Sequence, residues 1–374
     1  MIEVQQETYS ENLLMTLLLF SFRSKKNILF ILTLLISFTA ISQTQKDSFY
    51  YAKLKQPGVK MIPVCNGKYN VFTQKFGNGK IKLLLLHGGP GNGHEYFENF
   101  PAHLTKKGVT VYYYDQLGSY YSDSPLDSTV FTPAAFAEQV EDVRKGLGLN
   151  NFYLLGHSWG GLLAELYAEK YQHYIKGLIL SNVPGASFSP KEKLKIVSDS
   201  LTDLLLAITK ALPVFKQYSS AVIDSIINDE TLADTVFSHR LLNQFNHLVD
   251  SIQYRKSFYY RDDEEPEPLK RNVRHVRINS KNKYLAKFQN NYDETADYKS
   301  ALLSLTVNTL LLGSAHDYMY PAGYYDMKRA MTKAKVRVYI CPNGSHFAMW
   351  DDTESYFMGL IKFLTDVAHG KFKP

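Results

Sequence analysis

The chain runs to 374 residues, 45% hydrophobic and 14% aromatic, with a formal net charge of +6 at pH 7 and two cysteines. That length and apolar content suit one large domain with an insertion, or two domains, and exclude disorder beyond the ends. The charge excludes a nucleic-acid footprint, because the basic residues from Arg255 to Lys283 are interleaved with Asp262, Asp263, Glu264, Glu265 and Glu267 and form no one-signed stripe.

The first element is a targeting segment. In SKKNILFILTLLISFTAISQTQ, Lys25 and Lys26 precede an apolar stretch from Ile28 to Phe38, and Ala40-Ile41-Ser42 stands ahead of Gln43. This is the pattern of a bacterial secretory signal peptide, so residues 1–42 are expected to be removed and the remainder exported to the periplasm or beyond. The apolar core is short for a bilayer span, which leaves membrane association only to an uncleaved segment. The upstream LLMTLLLF is unusual in such a signal and points either to a start downstream of Met1 or to an anchor. Export implies an oxidising compartment, yet Cys65 and Cys341 fit no disulfide framework; two buried thiols or a single bridge both stay open.

Beyond residue 43, strand-like and helix-like segments alternate, as an α/β fold requires. GKYNVFTQKFG and IKLLLLHG read as early strands, and the unbroken run Leu83 to Leu86 marks a strand buried on both faces of a mostly parallel sheet. It leads straight into His87-Gly88-Gly89-Pro90-Gly91, where glycines let backbone N–H groups approach a ligand and Pro90 stiffens the turn. Glycines alone would fit a plain tight turn equally well. GVTVYYYDQLG is the next strand. FAEQVEDVRKGLGL is an amphipathic helix with Phe136, Val140, Val143 and Leu147 on one face, and glycines end it. NFYLLGHSWGGLLAELYAEKY reads as strand, turn and helix, and IKGLILSNVPG as another core strand. Two later strands follow, Val307 to Leu312 and Val336 to Ile340, and the loops after them present Asp317 and His346.

The turn Gly156-His157-Ser158-Trp159-Gly160 fits G-x-S-x-G between a strand and a helix, where a strained elbow lifts a serine hydroxyl above a sheet. A serine hydroxyl is a poor nucleophile at neutral pH, so a histidine must take its proton and a carboxylate must orient that histidine. The α/β-hydrolase order is Ser, Asp, His, which selects Ser158, Asp317 and His346. Asp351 and Asp352 come too soon after His346 to orient it, and the strand end after GLILS offers Asn182 and no carboxylate. His87 is expected to brace the glycine turn. The oxyanion hole is expected from the N–H of Trp159 and one from the glycine loop, Gly89 first and Gly88 as fallback. No metal or organic cofactor is implied.

HGGPG, DQLGSYYSDSP, GHSWGG and CPNGSHFAMWDD, in that order, resemble the prolyl iminopeptidase and tripeptide aminopeptidase family of α/β-hydrolase serine peptidases, and closest are its exported bacterial members. The resemblance covers residues 57–372, although the usual arginine after Asp-Gln is Leu117 here. It implies the same triad, the same oxyanion donors, and a helical cap between two parts of one core: core at 43–185 and 301–374, cap at 186–300. Within that cap KLKIVSDSLTDLLLAITKAL and SHRLLNQFNHLVDSI carry helical periodicity, and DDEEPEPLKRN reads as a linker. A second independent domain is the alternative for this segment.

In the family a free α-amino group is read by acidic residues. The nearest matches here are Asp293 and Glu294, and the position after the catalytic acid, which can carry another acid, is Tyr318, able to meet an amine by cation–π attraction. The resemblance therefore implies an aminopeptidase releasing N-terminal proline or another small residue from short peptides. An amidase or carboxylesterase without a free-amine requirement is the second reading, and a non-catalytic binding protein on the same scaffold the third.

Overall fold

The four leucines of IKLLLL divide between two faces of one sheet. In the computed structural model, which describes residues 48–184, 266–292, 298–317 and 323–374, Leu84 and Leu86 belong to one hydrophobic cluster and Leu83 and Leu85 to another, all fully buried. The same alternation separates Leu178 and Leu180 from Ile179, and Leu311 from Leu310 and Leu312. Successive side chains on a strand point to opposite faces, so an apolar run without alternation needs cover on both.

The strands are β1 (Val59–Val64), β2 (Tyr69–Phe76), β3 (Ile81–Leu86), β4 (Val109–Tyr114), β5 (Phe152–His157), β6 (Ile175–Ser181), β7 (Thr309–Ser314) and β8 (Val336–Cys341). They form one sheet in the order β1-β2-β4-β3-β5-β6-β7-β8. β2 pairs antiparallel with β1 and β4; all other pairings are parallel. One face is covered by α3 (Pro133–Leu147) and α4 (Trp159–Tyr171), which bury Phe136, Val140, Val143, Leu163 and Tyr167. The other is covered by α2 (Phe100–Leu104) and α10 (Thr353–Ala368), which bury Phe100, Leu104, Tyr356, Leu360 and Phe363.

α3 starts at Pro133, ahead of Phe136, where the expected helix opens. The Thr132 hydroxyl accepts the Ala135 N–H, Pro133 opens the first turn, and Gly148 at φ 63° ends the helix. Its four expected core residues are buried except Leu147, which is half-buried against the same cluster.

Between β6 and β7, neighbours in the sheet, the described residues form α5 (Glu267–Asn279), α6 (Lys283–Gln289) and α7 (Tyr298–Ser304). The expected linker DDEEPEPLKRN is corrected in its second half: Pro266 caps α5 and Pro268 lies in its first turn, where proline starts a helix. The two long periodic segments at 193–212 and 238–252 lie outside the described residues. α8 (Gly323–Ala330) and the short α9 (Ala348–Asp351) complete the helices of this part.

By chain contacts residues 1–56 and 57–374 are separate units, and α1 (Ser48–Leu54) is the described helix of the first. Among the described residues no helix is long and apolar enough to cross a membrane. Cys65 and Cys341 are both free thiols.

The parallel strands bring one edge of the sheet into line: Leu86 pairs with Tyr114 and Gly156, His157 with Ser181, and Ser314 with Cys341. Loops leaving that edge carry every residue of the site below, as expected for an open α/β sheet. Leu311, in β7, is fully buried. Leu311→Ala is expected to lower unfolding free energy by about 2–5 kcal/mol without altering strand order, read as a shift in the urea midpoint.

Candidate active site

Ser158 sits between β5 and α4 with φ 55° and ψ −127°, a conformation outside the regions L-residues ordinarily adopt. The surrounding glycines leave no alternative packing. A Cβ on Gly156 would lie 2.1 Å from the Gly160 carbonyl oxygen, and one on Gly160 would lie 2.2 Å from the Leu86 carbonyl oxygen. The Ser158 N–H donates to the Ser181 carbonyl at 3.0 Å, and its carbonyl accepts from Gly161 at 2.8 Å. The serine is therefore fixed by strand β6 on one side and helix α4 on the other.

His346 and Asp317 meet in the loops after β8 and β7: His346 Nδ1 is 3.0 Å from Asp317 Oδ1, and both side chains are buried. The second carboxylate oxygen, Oδ2, accepts from the Asn182 amide at 2.7 Å. Asn182 was invisible as a functional residue in the sequence, where it counted only as a missing acid. Its left-handed backbone, φ 49°, turns the side chain off the end of β6, and the same amide reaches Ser314 Oγ at 2.9 Å and the Ser345 carbonyl at 3.2 Å. Asp351 is occupied elsewhere, accepting from the Ser345 N–H and hydroxyl. His316, the neighbour of Asp317, is exposed.

His157 ties the elbow to this loop. Its Nε2–H donates to the His346 carbonyl at 2.8 Å, with ring centroids 4.7 Å apart.

The glycine loop lies directly against the serine: a Cβ on Gly88 would sit 2.8 Å from Ser158 Cβ and 3.3 Å from its Oγ. Gly89 takes φ 110°, open only to glycine. Trp159 occupies the first position of α4, where helix N–H groups have no intrahelical acceptor. His87 braces the loop, as expected. Its Nδ1–H donates to the Gly88 carbonyl at 3.0 Å while Nε2 accepts the Gln116 N–H at 2.9 Å. Gln116 extends the brace, giving its amide N–H to the His87 carbonyl at 2.8 Å and taking the Trp159 indole N–H at 2.9 Å. Leu117, in place of the family arginine, is buried in the core.

Residues 82–353 match the alpha/beta hydrolase fold family. Over 312 residues the chain is 36% identical to the proline iminopeptidase of Elizabethkingia meningoseptica, covering 82% of this chain and 98% of that protein. It is also 36% identical over 320 residues to the proline iminopeptidase of Flavobacterium johnsoniae, with 82% and 98% covered. The crystal structure of the proline iminopeptidase of Mycobacterium smegmatis shares the fold, with a TM-score of 0.62 at 20% identity over 84% of this chain and all of that one. The chain belongs to the proline iminopeptidase family of α/β hydrolases.

Of the residues expected to serve this family's chemistry, the fold gathers Ser158, Trp159, Gly88, Gly89, Asp317 and His346 at one sheet edge. Asp293, Glu294 and Tyr318, expected at the substrate amine, lie outside the described residues. Among the described residues no cluster of three or more His, Cys, Asp or Glu side chains is placed to hold a metal ion.

Burial pushes the His87 imidazole below its ordinary 6.5, and burial together with the nearby His346 pushes His157 well below it. Both are neutral when folded and take up protons more readily when unfolded. The unfolded chain thus binds more protons below that value, and stability is lost as the pH falls through it. The urea midpoint is expected to decline steadily from about pH 7 to about pH 5, ahead of the carboxylate range. The decline should be shallower in His157→Gln, whose amide can still donate to the His346 carbonyl; an equal slope in both proteins would count against this origin.

Proposed function

We propose that the chain is a serine aminopeptidase that releases N-terminal proline from short peptides through an acyl-enzyme. The observation that carries this reading is the buried Asp317–His346 pair, bonded through the His346 carbonyl to His157 of the Ser158 elbow, in a chain alike over most of its length to proteins named proline iminopeptidase.

Each role follows from the local chemistry. With Asp317 accepting at Nδ1, His346 carries its proton there and leaves Nε2 as the base for the Ser158 hydroxyl. Asn182 orients Asp317 by donating to its outer oxygen. Ser158 Oγ attacks the carbonyl of the N-terminal residue, and the negative charge that develops on oxygen is received by the N–H groups of Gly89 and Trp159. His346 then passes its proton to the leaving amine. Water, deprotonated by His346, frees the acyl residue.

Residues 186–300 form the cap over this site in the same reading, with Asp293, Glu294 and Tyr318 reading the substrate's free amine, since a cation in a partly dry pocket needs paired charge. Lys25, Lys26 and the apolar stretch after them direct export.

Chromogenic p-nitroanilides of proline, with free and acetylated amino groups, and a short-chain ester test the proposal. The free-amine anilide is expected to be cleaved and the acetylated one not. Ser158→Ala should lower kcat by about 10⁴-fold or more, and Asp317→Asn by about three to four orders of magnitude. Equal turnover of free and blocked amides, or preference for the ester, would instead assign a general amidase or esterase.

A further inference from the structure

Every peptide plane between Gly88 and Gly93 that carries an N–H is held by a side chain. A trans peptide is rigid, with its C=O and the following N–H pointing in opposite directions, so fixing the carbonyl aims the N–H. The Gly88 carbonyl is held by His87. The Pro90 carbonyl accepts Gln289 Nε2–H at 2.7 Å, the Gly91 carbonyl accepts Asn279 Nδ2–H at 2.8 Å, and the Asn92 carbonyl accepts the Ser119 hydroxyl. The Gly93 N–H donates to Asn272 Oδ1 at 3.1 Å.

Three of these five side chains come from α5 and α6, in the segment between β6 and β7. They are themselves oriented. Ser280 Oγ–H donates to Gln289 Oε1 at 3.2 Å, which leaves Nε2 for Pro90, and Asn279 is buried. The same face of α5 carries His275 on Glu95 and Arg271 on Glu98, so the helix is registered against the turn that follows the loop. α6 also packs tightly on the loop: a Cβ on Gly91 would lie 2.8 Å from Gln289 Nε2 and 3.2 Å from Leu285 Cδ2.

From this pattern we infer that Asn279 and Gln289 are positioning residues for the oxyanion loop, so that α5 and α6 contribute to transition-state stabilisation. The inference rests on the reading of the Gly89 N–H as an oxyanion donor. The loop's glycines, at φ 110° and 88°, resist little by themselves, since glycine adopts many conformations at similar energy. The Gln289 and Asn279 bonds restrict the segment immediately after Gly89. An oxyanion donor works only when it waits at the place where charge appears, and misplacement by about 1 Å can cost roughly a hundredfold.

The test uses Asn279→Leu and Gln289→Met, near-isosteric, uncharged and unable to donate, in the full chain. Turnover of proline p-nitroanilide, inactivation by a fluorophosphonate whose phosphoryl oxygen needs the same donors, and the melting temperature are measured together. The expected result is a loss in kcat of about ten- to a hundredfold with KM within about twofold, a parallel loss in inactivation rate, and little change in melting temperature. Unchanged kcat, a loss confined to KM, or a loss that follows melting temperature would overturn it. Asn279→Ala, which empties the position, should reproduce the kcat loss; wild-type kcat in that variant would also overturn it. Activity surviving in Ser158→Ala would defeat the underlying catalytic reading instead, whereas an inactive Ser158→Ala beside wild-type-like Asn279→Leu and Gln289→Met would defeat this inference alone.

Discussion

The backbone at Ser158 is the constraint on which the rest of the structure depends. A serine at φ 55° and ψ −127° is held only where its surroundings over-determine it, at a cost of order 1–3 kcal/mol. The surroundings are backbone on backbone: Gly156 against the Gly160 carbonyl, and Gly160 against the ends of β3 that become the glycine loop. Placing the serine thus places the loop beside it. The strain is small against the burial it is set in, since each fully buried leucine of β3, β5 and β7 contributes roughly 1.5–3 kcal/mol.

Around that elbow, buried amides are satisfied in chains, while His157 Nδ1 is left without a partner among the described residues. Asn182 joins the ends of β6 and β7 to the His346 loop by donating to Asp317, Ser314 and the Ser345 carbonyl. Gln116 joins the loop after β4 to both His87 and Trp159. A buried amide left unpaired costs about 1–3 kcal/mol, so each chain has one low-energy arrangement and fixes the tautomer of the histidine it contains. His87 belongs to the Gln116 chain and His157 bonds the His346 carbonyl, so both are structural and distinct from His346.

Much of this was legible in the sequence, for a physical reason. Strands buried on both faces announce themselves as apolar runs, which located β3 to β8, and the periodicity from Phe136 with the closing glycines located α3 but missed the start that Thr132 and Pro133 mark. The G-x-S-x-G turn and the strand-end positions of Asp317 and His346 follow from the same order. β1 was not legible, because VKMIPV is a half-exposed edge strand containing Pro63, with no unbroken apolar run. The start of α5 was misread because its prolines break a helix anywhere but in the first turn. Asn182, Gln116, Asn279 and Gln289 act through partners 29 to 199 positions away, and neutral amides leave no spacing signature. One signal existed for Asn182: a lone polar residue ending the apolar run GLILS, at the sheet edge where the other site residues leave their strands.

The ion pairs beneath the glycine loop show what such groups do when burial makes them costly. Glu95 is fully buried, which by itself raises a carboxyl's pKa. The bond to His275 and the charges of His94 and His275 more than offset this and hold it at about 2. Asp115, also buried, accepts from the His94 N–H and faces its ring, and Glu98 meets Arg271 at the margin. Buried pairs of this kind add little net stability over well-packed apolar residues, but removing one partner strands the other at a cost of about 3–5 kcal/mol. That asymmetry penalises any shift of α5 along the segment from His94 to Glu98, because a shift breaks the His275–Glu95 and Arg271–Glu98 pairs together. Apolar contacts such as Leu269 and Leu285 would tolerate sliding. The charged pairs therefore specify where the helix sits, and through Asn279 its position bears on the backbone of the loop beside Ser158.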